Sequence, residues 1–463
     1  MSFFKTRFAN IAGFQKEKYW WLGYAGFLAA AFLVLFYADL QITSDHGMLF
    51  LDMLFSGDIL QFYNGTGAAY LLPVYIIFAI WMLPAWLPCR LGLAVPGSIG
   101  CLLWSKGLPL LGGIACLWIF HKILRAIRTG DEEFWCFLMA SSLLFFLPVC
   151  VTVQYDVLEL FFGLLGIYMA SREERLSWRT LLVLSLSVSL KLLMVFPIIL
   201  MILLKEKRFL YIMLDLCRLM LVSIISVLPY MGSFFSGTGA FSEGMLDKLL
   251  AVSLPTGVGN VSVFCLLFLA ICLAAYCTRG PKDSAAFFRV FSWFALAHFF
   301  AFFLFTDHAH PHWVVLMAPF VILLLAQNPE RLKLNLLLEI LLELCLILIH
   351  SWQFRWVYLT DSSFSYLLLK NVPSLHLYPE YSIEYFSQII NGLGLDKLIP
   401  AVGALLMVCA GGLLVLNHPF GRGLYSGQET AAELVSVKRT ACAVRMVILG
   451  GYMAIAAAVA LLL

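Results

Sequence analysis

One apolar run follows another along this chain: 19–40, 68–88, 107–121, 133–151, 156–170, 180–204, 209–230, 258–278, 285–305, 312–327, 333–354, 398–417 and 440–463. A helix of about 20 apolar residues crosses the hydrocarbon of a bilayer with its backbone groups paired internally. Of 463 residues, 62% are hydrophobic and 12% charged, against about 25% charged in a soluble protein. Those charges are too few to cover a water-soluble globule of this length. The 15% of aromatic residues argue equally against a disordered chain. The sequence therefore predicts an all-α, polytopic transmembrane protein embedded in membrane lipids, with about 11–13 membrane segments. A net charge of +3 without a long Lys/Arg run speaks against a nucleic-acid partner. The 12 cysteines fall mostly inside apolar runs and form no Cys-x-x-Cys, so neither a disulfide framework nor a zinc site is expected. Residues 1–18 are polar and basic, unlike a cleavable signal.

Basic clusters mark cytoplasmic loops. They occur at Lys5–Lys18, Lys122–Arg128, Arg172–Arg179, Lys205–Arg208, Arg279–Lys282, Arg331–Lys333 and Arg422–Arg439. The N-terminus is then cytoplasmic. The loops 41–67, 231–257 and 355–397, with the turn Thr306–Pro311, face the extracytoplasmic side. Two stretches break the alternation. The run 180–204 has basic clusters on both flanks and is too short for two crossings, and 68–121 holds two apolar runs where one crossing is needed. A broken, half-depth hairpin accounts for each, since irregular backbone survives at membrane depth only where it is buried or lines a cavity. Lys191, the sole charge in 180–204, marks the apex. An ionisable group there is by default a functional candidate, here for holding an anion, with snorkelling to the interface as the plainer role.

In the first outer loop, Met48–Phe55 suits a short amphipathic helix lying along the membrane surface, started by Ser44 or Asp45 and stopped by Gly57. Asp45 has two available roles, helix N-cap or general base beside His46. The turn Asp307–Trp313 alternates His308, His310 and His312. No metal is assigned to it, because His-x-His-x-His lacks a carboxylate at a known spacing. Phosphate binding at the start of the next helix and plain helix capping remain open for these histidines. Loop 231–257 is rich in glycine around an expected helix at 243–252, and its length suits a lid. Loop 355–397 carries seven Tyr and Phe rings that suit an interfacial belt or sugar stacking. Gln154 and Asp156 either close a helix end or line the same cavity.

These features resemble the integral-membrane GT-C glycosyltransferases that use polyprenyl-phosphate sugars, particularly the mannosyltransferase branch related to GPI mannosyltransferase I. The resemblance rests on Ser44-Asp45-His46 through Gly57 and Tyr63 with Tyr70-Leu-Leu-Pro73, on Leu147-Pro148 … Gln154-Tyr-Asp156 … Arg172 … Lys191 … Pro197, and on Asp307–Trp313 leading into Pro319. It covers roughly residues 20–325, so 1–325 reads as the GT-C-like catalytic module and 326–463 as additional transmembrane helices. Asp45 is followed by His46 and Gly47, so a strict Asp-x-Asp is absent. The resemblance implies inverting transfer of a hexose, such as mannose, on the extracytoplasmic side. The donor would be a polyprenyl-phosphate-linked sugar, and the acceptor a hydroxyl on a lipid, glycan or protein. It implies Asp45 as base with His46 beside it, and Lys191, His308, His310 and His312 as the cations that receive the donor phosphate, with no cofactor. A secondary transporter also fits broken helices and an intramembrane lysine, although no internal repeat is evident and the large loops lie on one side. A non-catalytic subunit of an envelope polysaccharide machine is a third reading.

Overall fold

The computed structural model describes residues 17–34, 38–64, 66–232, 243–257, 259–307, 309–353, 391–420 and 431–462. They form helices α1 (Glu17–Val34), α2 (Ala38–Ser56), α3 (Leu72–Arg90), α4 (Ile99–Ile127), α5 (Glu132–Ser141), α6 (Leu143–Phe146), α7 (Asp156–Ala170), α8 (Trp178–Leu190), α9 (Val195–Lys205), α10 (Phe209–Leu219) and α11 (Leu221–Val227). Next come α12 (Glu243–Ala251), strands β1 (Ser253–Thr256) and β2 (Gly259–Ser262), then α13 (Val263–Cys277), α14 (Ser284–Phe305), α15 (Ala318–Ala326), α16 (Leu332–Gln353), α17 (Ile399–Leu416) and α18 (Ala431–Leu462). Among the described residues, four helices are long and apolar enough to cross a membrane, or six if each of two bent pairs is one span. Five further apolar helices among the described residues are shorter. The two strands pair antiparallel, Leu254 opposite Val261, a hairpin the sequence reading did not anticipate. The expected helix at 243–252 is α12. Most of loop 355–397 lies outside the described residues.

One continuous buried cluster extends from Tyr24 in α1 to Leu449 in α18. Residues after 326 thus share the core of those before it. Inside this core, glycines let helices approach closely. A Cβ on Gly166 of α7 would stand 2.4 Å from Leu184 of α8, and one on Gly163 would stand 2.5 Å from Met194. Lys106 of α4 is buried and donates to the carbonyls of Ala31 (2.6 Å) and Phe32 (2.9 Å), supplying donors at the C-terminal end of α1.

Two expectations about local structure are corrected. The first loop helix does not begin at Ser44 or Asp45, because α2 starts at Ala38 and carries both residues within its length. Ala, Leu and Gln are good helix formers, and Leu40 packs on Leu102 and Val153, so packing carries the helix through the supposed cap. Gly57 does end it, at φ +87°, with Asp58 N–H bonded back to the Met53 carbonyl at 2.9 Å. This is the 6→1 closure of a Schellman end.

Secondly, 68–121 contains no broken hairpin. α3 and α4 are continuous over 19 and 29 residues despite Pro84, Pro88 and Pro109. Their facing surfaces hold them together: Trp81 and Trp104 stack at 5.0 Å, and each indole N–H donates to the other's carbonyl, at 2.7 and 2.6 Å. α2 runs parallel to α3, with His46 beside Tyr75, Gly47 against Phe78 and Met82, and Asp52 beside Trp86 and Arg90.

The run 180–204 does form a hairpin. α8 ends at Leu190, Lys191 is extended at φ −159° and ψ 147°, and α9 returns after a 3₁₀ turn, Leu192–Met194. Both feet meet Glu173: Ser177 and Thr180 donate to its carboxylate at 2.8 and 2.9 Å, and Lys205 donates to its carbonyl. At 13 and 11 residues the arms are about 20 and 17 Å long, short of the ~30 Å hydrocarbon thickness.

Candidate functional site

The helix pair α5–α6 bends by 59° at Ser142. It then passes through a π-helical turn, Leu147–Val151, into Val153 at φ +51°. A β-branched residue in the left-handed region is strained, and such strain persists only where the surroundings fix it. Here it turns the chain so that Gln154, Tyr155 and Asp156 arrive at the start of α7. Asp156 and Glu159 occupy the first turn of that helix, where the helix dipole favours negative charge. Gln154, Asp156 and Glu159 are all buried.

Lys191 reaches this point from the hairpin apex. Its Nζ lies 2.7 Å from Asp156 Oδ1, with the lysine side chain 13% exposed and the aspartate side chain 0% exposed. Tyr155, Tyr70 and Trp313 surround the ammonium, their ring centres at 5.0, 5.9 and 5.9 Å, within cation–π range. An ammonium has three donors, and among the described residues Asp156 is the one oxygen partner of Lys191. Glu159 fixes the turn beyond the apex: its Oε1 accepts from Met194 N–H at 2.6 Å, and its carbonyl accepts from Ser187 Oγ at 2.7 Å.

A third wall comes from the histidine turn. His312, in the 3₁₀ segment Pro311–Leu316, places Nε2 3.7 Å from Asp156 Oδ2. His310 stacks on His312, centroids 5.4 Å apart, and its Nε2 lies 3.1 Å from Lys248 Nζ, so that nitrogen accepts a hydrogen bond from the ammonium. The Asp307 amide bonds the Lys248 carbonyl at 3.1 Å, tying α12 to the turn. Burial pushes Lys248 below the ordinary lysine range, and Asp307 pulls it back up. His308 lies outside the described residues. Next to the cluster, Leu193, Phe196, His298, Phe302, Trp313 and Leu316 line a slot too narrow for a water molecule.

Asp45 and His46 lie elsewhere on α2. Asp45 is exposed and borders a pocket of about 430 Å³ with Met48, Asp52, Trp86 and Arg90. Neither Lys191, Asp156 nor His312 lines that pocket. Asp52 accepts from the Trp86 indole at 2.9 Å and lies 3.6 Å from Arg90. His46 is half-buried, bonded to the Thr66 carbonyl at 3.0 Å. Its ring meets Tyr75 at 5.8 Å, and Tyr75 in turn meets Tyr70, which borders Lys191. The structure thus brings Asp156, Lys191, His310 and His312 together, with Gln154 close in sequence, while the Asp45 carboxylate opens onto a different pocket. Lys248 and Glu159 were not singled out as site residues from the sequence. Glu159 carried a usable signal, a carboxylate three residues after Asp156 inside an apolar run. Among the described residues, no group of three or more His, Cys, Asp or Glu side chains is arranged to hold a metal ion.

No protein-family profile, curated protein or solved structure matches the chain.

Proposed function

We propose that the protein is a membrane glycosyltransferase of the GT-C type, moving a hexose from a polyprenyl-phosphate donor to an acceptor hydroxyl on the extracytoplasmic side. The observation that carries this reading is the polar cluster at a helix break. Lys191 and His312 flank Asp156, with His310 stacked on His312 and Lys248 beyond it, and Tyr70, Tyr155 and Trp313 wall the lysine. As the sugar leaves, its phosphate gains negative charge. A fixed ammonium, here that of Lys191, in a water-poor site stabilises that charge more strongly than water does, and the imidazoles can donate to it. Asp156 then orients Lys191, and the remaining two ammonium donors are available to phosphate oxygens. The adjoining apolar slot of Leu193, Phe196 and Phe302 suits the first isoprene units once its side chains part. Asp45 is the base in this reading. His46 and the Tyr75–Tyr70 pair link its helix to the lysine, and transfer requires the acceptor hydroxyl to pass those rings and meet the donor with Asp45 in hydrogen-bond reach.

The experiment compares transfer by wild type and Asp45→Asn. Loss of a general base lowers turnover by about 100- to 10,000-fold. Because Asp45 is exposed, thermal stability stays within about 0.5 kcal/mol. Undiminished turnover in Asp45→Asn removes Asp45 from the mechanism, and loss in Asp156→Asn alone gives the role to Asp156.

A further inference from the structure

A second group of ionisable side chains is buried away from Lys191. Glu339 and Glu343, one turn apart on α16, face Arg445 of α18, and all three side chains are 0% exposed. Arg445 donates Nη2 to Glu339 Oε1 and Nη1 to Glu343 Oε2. Glu343 already accepts three hydrogen bonds, since it also takes Ser142 Oγ on Oε1 and the Leu143 amide on Oε2 at 3.3 Å, which leaves about one of its four lone-pair sites open. Glu339 accepts fewer: among the described residues its Oε2 is fully buried and meets no donor. The two carboxyls, on one face of α16, grip the same guanidinium. Two anions against one cation leave a net negative charge buried without water, which is strongly unfavourable. Two facing carboxylates have no hydrogen to place between them, and one proton supplies it while making the triad neutral.

We propose that Glu339 and Glu343 share one proton beneath Arg445, an intramembrane proton-binding site separate from the Lys191 cluster. The proton comes from water and resides on Glu339 Oε2, the single carboxylate oxygen of the pair without a donor. Among the other elements packed on α16, the turn Pro329–Arg331 carries Glu330 and Arg331, about two helical turns before Glu339. α15 has no titratable side chain and α17 has only Cys409, while the break between α5 and α6 contributes the neutral Ser142. Glu343 holds that break, so the proton sits one residue contact from the bend that leads to Asp156.

The test is infrared spectroscopy of the purified full chain in a maltoside detergent, which has no carbonyl of its own, at mildly alkaline pH where exposed carboxylates are ionised. Glu339→Gln and Glu343→Gln should each lose the protonated-carboxyl stretching absorbance of one group relative to wild type. Glu339→Gln should also unfold at the wild-type temperature, because the amide matches the protonated acid in shape and neutrality. Unchanged absorbance in both variants contradicts the proposal. So does failure of Glu339→Gln to fold, which would mean that the ionised carboxylate is required.

Discussion

Lys191 stands where a helix stops, and its charge is met by one buried carboxylate 2.7 Å away. Breaking a buried pair by deleting one partner strands the other charge and costs about 3–5 kcal/mol, whereas replacing both with neutral groups is far milder. Asp156→Ala should therefore lower the unfolding temperature sharply, and Asp156→Asn with Lys191→Met should recover most of it while remaining inactive. Differential scanning fluorimetry in nanodiscs reads this. A double variant no more stable than Asp156→Ala would show that the pair is not coupled. Lys191 was legible in the sequence because it is the one charge in a run of 25 residues. Its partner was legible only as a polar point after Pro148. The pairing depends on Val153 adopting φ +51°, and nothing in a valine announces that.

At the level of elements, the hairpin α8–α9 is held against α7 by glycine contacts and by hydrogen bonds to Glu173 and Glu159. Gly166→Leu forces side-chain atoms into Leu184, an overpacking that costs about 1–3 kcal/mol. It should weaken donor use as well as stability, since the displaced helix carries Lys191. Full stability with full transfer in Gly166→Leu would contradict the close packing. The hairpin was legible because charge clusters flank a run too short for two crossings. The same count misleads at 68–121: two apolar runs where one crossing is needed suggest a half-depth break, but α3 and α4 run unbroken through Pro84, Pro88 and Pro109. α2 was misread because Asp45 suits a cap on residue type, while burial of Leu40 and Ser44 decides the true start. Glu339, Glu343 and Arg445 went unnoticed although the two glutamates are spaced i, i+4 on an apolar helix. Attention to charge at membrane depth, already applied to Lys191, would have found them.

For the molecule as a whole, the sequence conveyed an all-helical, multi-pass chain, and four to six of its helices have the length and apolarity to span a bilayer. The proposed orientation places Gly130 on the cytoplasmic side and Thr256 on the opposite one. A cysteine introduced at Thr256 should react with a membrane-impermeant maleimide in intact cells, and one at Gly130 only after permeabilisation, on a background with the exposed Cys217 and Cys277 replaced by serine. The reverse pattern would invert the topology and move the Lys191 cluster to the other face. Residues on both sides of 325/326 share one core, because the last helix contributes Leu449 to it and Arg445 to the pair of glutamates on α16. The most direct test is transfer by the purified chain in nanodiscs from a panel of polyprenyl-phosphate hexoses, mannose included, alongside nucleotide sugars. Turnover from a polyprenyl-phosphate donor, absent with nucleotide sugars and reduced about 100-fold or more by Lys191→Ala, is the predicted result. Turnover from nucleotide sugars alone, no turnover from any donor, or an undiminished rate in Lys191→Ala would contradict it.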